Sequence, residues 1–283
     1  PGAAADLAAA PRRKPVRPAR EGAGPAGSAI LLVEDNETIQ LVSLGLLKSL
    51  GYAADLAQNG QEAIEALEKK DYRLVLMDME MPVMDGYEAT KAIRGDQSPV
   101  MNPDVPIIAM TAHAMQRDLD RCLAVGMDGY LTKPVKKQDL ATLLETYLGR
   151  DDIDAAEGAD AVGTDGAVQE SENIFDEAGI RDRLDNSDDL IQVVMRSFVE
   201  SFPERITELT QAYESRDGEC IRRVGHNMKG SSSTAGATAI MRSAMVVEDA
   251  GRTGDMQMIP ACIDQIKSDF VKLKKVLTDS GIL

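Results

Sequence analysis

The chain has 283 residues, 43% of them hydrophobic and only 4% aromatic, with a formal charge of -16. That length is more than one hydrophobic core usually serves, so two domains are expected. The acidity, with no basic stripe, zinc spacing or aromatic platform to offset it, counts against nucleic acid as a partner. The longest apolar runs, AILLV and LVSLGLL, fall far short of the roughly 18 residues of a membrane span, so no membrane contact by this segment is expected. Three widely spaced cysteines, Cys122, Cys220 and Cys262, sit on apolar helical stripes, which predicts buried thiols and a reducing, cytoplasmic setting.

Residues 1–27 begin at Pro1 without an initiator methionine and run through PRRKPVRPAR, which reads as a linker with polyproline character in a longer protein. Residues 29–148 then alternate short apolar runs with helical patterns. Strands are expected at Ile30 to Val33, Tyr52 to Leu56, Leu74 to Met77, Ile107 to Met110 and Tyr130 to Thr132. Between and after them Ile39, Val42, Leu46 and Leu50 recur at helical spacing, as do Leu119, Cys122 and Leu123, and Leu140, Leu143, Leu144 and Tyr147. A repeated β-α unit of this kind predicts a parallel α/β sheet covered on both faces, with ligands at the carboxyl ends of the strands. Glu34 and Asp35 close the first strand, Asp78 the third, Thr111 the fourth and Lys133 the fifth. Three carboxylates converging on one crevice repel one another, and a hard divalent cation, Mg2+ being the natural occupant, would relieve them. A lysine and a hydroxyl across the crevice would hold the remaining oxygens of a phosphoryl group.

The runs LVEDN (32–36), MDMEMPVMDG (77–86), MTAHA (110–114) and GYLTKP (129–134) resemble those of a response-regulator receiver domain over residues 28–150. The resemblance implies a doubly wound, flavodoxin-like sheet of five parallel strands with Asp78 as phosphoacceptor. It further implies that Glu34 and Asp35 are the acid pair, that Glu80 offers a backbone carbonyl to the metal, that Thr111 and Tyr130 form a switch pair and that Lys133 meets the phosphoryl group. Glu80 departs from the family, which often has a smaller or amide side chain there; a carboxylate would repel or redirect attacking water. His113 lacks a lysine-glycine context and is expected to cap or line the following helix.

Residues 151–173 are acidic, glycine-bearing and short of large side chains, which predicts a flexible tether. From residue 174 the strand pattern disappears. Helical stripes run through Leu190, Val193, Val194 and Phe198, then Ile206, Leu209 and Tyr213, then Ile240, Ala244 and Val247, and finally from Ile259 through Ile263, Ile266, Phe270 and Leu273 to Leu277. An antiparallel helical bundle follows, with Asp176 and Asp217 as N-caps and Pro260 in a first turn. The run from Asp185 to Asp189 is not a Ca2+ loop, because Leu190 and Arg196 stand where glycine and glutamate are needed.

Around residues 217–232 the apolar stripe is Ile221, Val224 and Met228, which leaves His226 on the wet face beside Arg222, Arg223, Lys229 and Gly230. Gly225 and Gly230 each cost the helix about 1 kcal/mol against alanine, which argues for open backbone there. The run HNMKGSS (226–232) resembles the phosphoacceptor site of histidine phosphotransfer (HPt) domains, with Met228 a mild variation on the usual aliphatic residue. That resemblance covers residues 174–283 and implies an all-α four-helix bundle with His226 as phosphoacceptor. Lys229 would stabilise the phosphohistidine, Gly230 would clear space for a docking receiver, and Arg222 and Arg223 would steer an acidic partner.

Together the two resemblances are similar to the C-terminal end of a hybrid sensor histidine kinase. An upstream kinase histidine would load Asp78, the group would pass to His226 by receiver-HPt contact within or between chains, and a downstream response-regulator aspartate would receive it. No ATP lid or second phosphoacceptor helix is visible. The alternatives are a Mg2+-dependent aspartyl-phosphate hydrolase using Asp78 as nucleophile, and a scaffold receiver that is never phosphorylated.

Overall fold

The computed structural model describes residues 29–111, 116–149 and 174–283. The expected linkers 1–27 and 151–173, and His113, lie outside the described residues. Two compact units emerge: one holds 29–35, 52–132 and 138–149, the other 36–51, 133–137 and 174–283.

Five strands, β1 (Ile30–Val33), β2 (Ala54–Ala57), β3 (Leu74–Asp78), β4 (Ile107–Thr111) and β5 (Gly129–Thr132), form one sheet in the order β2-β1-β3-β4-β5. Every pair is parallel. The runs ILLV, LVLMD and IIAMT are continuous apolar segments because β1, β3 and β4 are enclosed on both faces. The edge strand β2 is half exposed and begins two residues later than the pattern predicts. Its displacement follows from Gly51, at φ +83°, which turns the chain out of helix α1 (Glu37–Ser49) before extended backbone can start.

The intervening helices are α2 (Gly60–Lys69), α3 (Gly86–Arg94), α4 (Gln116–Ala124) and α5 (Lys137–Leu148). Asn36, Asn59 and Asp85 cap α1, α2 and α3, each side chain accepting from backbone N–H groups of the first turn. Leu31, Val33, Val75, Met77, Ile107 and Ala109 project from one sheet face into a core with Ile64 and Leu67 of α2, Ile93 of α3 and Cys122 of α4. Helix α5 buries Leu140, Leu144 and Leu148. Leu123, expected on the α4 stripe, is exposed. Arg94 closes this unit with its guanidinium on the carbonyls of Gly126 and Val105 and on the Asp128 carboxylate at 2.9 Å.

The helical region contains α6 (Glu177–Arg183), α7 (Asp188–Glu214), α8 (Gly218–Thr234), α9 (Thr238–Thr253) and α10 (Ile259–Asp279). Asp176 and Asp217 cap α6 and α8, and Pro260 lies in the first turn of α10, as expected. The two stripes predicted on either side of Pro203 belong to one 27-residue helix, α7, which runs through the proline. Its buried face carries Ile191, Val194, Met195, Phe198, Phe202, Leu209 and Ala212, so Val193 of the predicted stripe is half exposed instead. Phe202 links α7 to α10, its ring centroid 4.8 Å from Phe198 and 5.1 Å from Phe270. The short α6 is held by Arg183, which donates to the Ser233 and Thr234 carbonyls and so satisfies acceptors left open at the end of α8. Of the three thiols, Cys122 and Cys262 are buried; Cys220 is half-buried, in contrast to the expectation. No helix among the described residues is long and apolar enough to cross a membrane.

Candidate functional site

The strand order reverses direction at β1 and β3, and this is where the first cluster forms. Val33 pairs with Met77, so the acids that follow, Glu34 and Asp78, leave the sheet side by side. One carboxylate oxygen from each of Glu34, Asp35 and Asp78 lies within 4.8 Å of the other two. Glu34 and Asp78 are both buried. Three oxygens at this separation, all from carboxylates and with no nitrogen or sulfur donor, are a donor set that suits a hard divalent cation.

The loop after Asp78 is fixed by backbone. Gly86 begins α3 so close to the end of β3 that a Cβ on it would lie 2.3 Å from the Asp78 carbonyl oxygen, and the Gly86 N–H donates to Met79 O at 3.3 Å. On the other side the Gly60 N–H donates to Met84 O at 3.0 Å. Between these anchors Val83 holds φ +70° in a three-residue turn closed by Met84 N–H to Pro82 O, a conformation that a β-branched residue adopts at a cost. The Glu80 N–H lies 3.4 Å from Asp78 Oδ1, which orients the aspartate carboxylate. Thr111 ends β4 one residue beyond Met110, the register partner of Asp78. Tyr130 lies on β5 and is 45% exposed, and Lys133 follows β5 directly. The sheet thus carries Glu34, Asp35, Asp78, Thr111 and Lys133 to the carboxyl edge of four strands in order.

The second cluster is on the side of a helix, and it differs from the sequence expectation. His226 is buried, and an acid meets it. Its Nδ1 lies 2.9 Å from Glu248 Oε1 of α9, and the other oxygen of that carboxylate ion-pairs with Lys229 Nζ at 2.5 Å. An ionised carboxylate can only accept, so Nδ1 carries the ring proton and the lone pair of the neutral imidazole is on Nε2. Burial alone would raise the Glu248 carboxyl, but the hydrogen bonds from His226 and Lys229 outweigh it and bring it down to about 2. The histidine is therefore part of a neutralised three-residue set rather than an imidazole ringed by cations in water. Lys229, expected on the wet side, is buried with it. Arg223 is not available for steering either, because Glu208 of α7 holds it at 2.6 Å. Gly225 is not open backbone: a Cβ there would lie 2.6 Å from Glu248 N and 2.8 Å from Glu248 Cα, so the glycine exists for the close passage of α9. Arg222 and Gly230 are half-buried on α8.

Glu248 is the residue that sequence reasoning missed. Its signal was present: it stands four residues after Ala244, on the same face as the buried stripe of α9, where an unpartnered acid would be costly.

Comparison with known proteins fits this geometry. Residues 30–145 match the model of the response regulator receiver domain, and residues 193–276 match the model of the Hpt domain. The chain therefore carries a receiver domain followed by an Hpt domain, the composition of a two-component phosphorelay module. Its relatives are histidine kinases, hybrid ones among them. Probable histidine kinase 1 of Oryza sativa subsp. indica is 39% identical over 147 residues, which is 42% of this chain and 15% of that protein. Hybrid signal transduction histidine kinase B of Dictyostelium discoideum is 44% identical over 119 residues, 39% of this chain and 6% of that protein. The chain thus spans only a small part of the curated relatives it matches. Among solved structures, the receiver domain of a sensor histidine kinase of Pseudomonas aeruginosa PAO1, with magnesium in its active site cleft, is 44% identical. It covers 44% of this chain and 100% of its own, with a TM-score of 0.40.

Proposed function

We propose that this chain is a phosphorelay segment in which Asp78 accepts a phosphoryl group from a histidine kinase and exchanges it with His226, which delivers it to the aspartate of a downstream response regulator. The observation that carries the reading is the cluster of Glu34, Asp35 and Asp78 at the point where the strand order reverses. In the loading step the donor's P–N bond breaks as a P–O bond forms to an Asp78 carboxylate oxygen. In the next, that P–O bond breaks as a bond forms from phosphorus to His226 Nε2, while the Nδ1 proton stays on its hydrogen bond to Glu248. Little covalent chemistry is asked of the protein in such transfers, and positioning and charge neutralisation supply the catalysis. Mg2+ held by Glu34, Asp35, Asp78 and the Glu80 carbonyl would neutralise charge on the phosphoryl oxygens. Lys133 and Thr111 would take the remaining oxygens, with Tyr130 following Thr111 in the switch. On the histidine side Lys229 is the cation nearest the new charge, Gly230 leaves room for an incoming partner, and Arg222 favours an acidic one.

Phosphate tracing tests this reading. Asp78→Asn should abolish labelling from acetyl phosphate or a histidine kinase. His226→Gln should leave label on Asp78 and none on a downstream receiver. Passage of label onward through the His226→Gln chain sinks the proposed route. Hydroxylamine and acid lability separate the acyl phosphate from the phosphohistidine.

A further inference from the structure

We propose that Gly225 and Gly251 are positioning residues for phosphoryl exchange: by letting the backbones of α8 and α9 touch, they set the reach of Glu248 to His226 and Lys229 and so fix which ring nitrogen takes the group. This rests on the reading of His226 as phosphoacceptor and deepens it.

The two glycines face each other's helix in a reciprocal arrangement. A Cβ at Gly225 of α8 would meet Glu248 N at 2.6 Å and Val247 C at 3.1 Å, and a Cβ at Gly251 of α9 would meet Arg222 N at 2.4 Å and Gly218 O at 2.8 Å. All of these are backbone atoms, so no side chain can swing aside to make room. Gly225 immediately precedes His226 and touches the backbone of Glu248 itself; Gly251 lies about one turn beyond Glu248 and touches Arg222, one turn before His226. The crossing therefore brackets the pair, with one steric stop at the acid and another a turn away on each helix. With the backbones in van der Waals contact, a glutamate side chain has just the length to bond His226 Nδ1 with one oxygen and Lys229 Nζ with the other. Parting the helices by the thickness of a methyl group takes both bonds beyond hydrogen-bond range, where they weaken steeply. The imidazole would then lose the acceptor that holds its proton on Nδ1. It would revert to a mixture of tautomers, and Nε2 would be protonated in part of the molecules and unable to attack.

A structural role alone predicts something else. If the glycines served only packing, their substitution would lower stability and leave the ring's protonation as it was. The test uses the full chain with 15N-labelled histidine, recording the His226 ring resonances in alkaline buffer together with the rate of phosphoryl exchange. Gly251→Ala should show loss of the Nδ1–H tautomer and a fall in exchange rate of about tenfold or more, as follows when a histidine loses the carboxylate that fixes its tautomer. A control, Leu273→Ala in the core of α10, should melt at lower temperature with the Nδ1–H tautomer intact. Glu248→Asp leaves the crossing undisturbed but shortens the acid by one methylene, and should show the same tautomer loss; this variant decides the matter if Gly251→Ala does not fold. Retention of the Nδ1–H tautomer in Glu248→Asp, or in folded Gly251→Ala, overturns the proposal. The ring signal needs no phosphate, so failure of His226 to be labelled at all would count against the relay reading and not against this one.

Discussion

The two sites handle charge in opposite ways. At the sheet edge, backbone topology brings three carboxylates to within 4.8 Å of one another, an all-oxygen donor set that suits a hard divalent cation. On the helix face, one carboxylate divides its oxygens between an imidazole and an ammonium, and the set is balanced as it stands. The first is a set of like groups that a divalent metal and then phosphoryl transfer would exploit in the proposed relay. The second pairs its acid with a ring nitrogen and an ammonium, and its contribution is a proton held on Nδ1. In the proposed relay the acid site would carry the catalysis and the histidine site would present the group.

Four measurements would break or sharpen that contrast. The largest effect is expected from acid. The folded-state Glu248 carboxyl lies near 2, below its ordinary 4.5, so its stabilisation is fully present above about pH 4.5 and is lost as pH falls toward 2. The shift corresponds to something on the order of 3 kcal/mol. Denaturant titrations of the wild type and of Glu248→Gln across pH 5 to 2 should diverge in slope, and parallel curves would mean the histidine site is not the balanced one. Next, Gly86→Ala should cost ~1–3 kcal/mol by overpacking against the Asp78 carbonyl. It should also slow labelling of Asp78, checked by urea midpoint and by acetyl phosphate uptake. Third, Asp35→Asn should weaken divalent-cation binding by removing one of the three carboxylate oxygens of the cluster. The same variant should lose the rise in melting temperature that Mg2+ gives the wild type; a wild type indifferent to Mg2+ would remove the contrast between the sites. The smallest effect belongs to Arg252→Ala, which breaks an exposed pair with Asp249 and should leave the urea midpoint unchanged.

What could be read from residues alone divides along the same line. The acid site was legible because strand-end positions are fixed by local pattern: once ILLV and LVLMD are strands, Glu34, Asp35 and Asp78 must emerge at one edge. The sheet, its parallel sense and the caps Asp176 and Asp217 followed from the same short-range signals. The environment of His226 was not legible, because a helical wheel shows what a helix turns toward its own core and not what another helix brings across it. Glu248 arrives from 22 residues away in sequence, and only the backbone approach at Gly225 and Gly251 makes it a neighbour. The two apolar stripes on either side of Pro203 turned out to lie on one helix, because the buried Phe198, Phe202 and Leu209 share one face of α7 across the proline.

The strand order has a further meaning for how news of a modification would travel. Asp78 sits on the central strand, yet Thr111, Tyr130 and Lys133 all lie on one side of it, at β4 and β5 and just beyond, while β1 on the other side leads only to the acids Glu34 and Asp35 and β2 to none of the candidate residues. A receiver built this way is a one-directional instrument. Whatever Asp78 experiences would be broadcast through the β5 margin, and the β2 margin would remain silent, free to drift in sequence without altering the message.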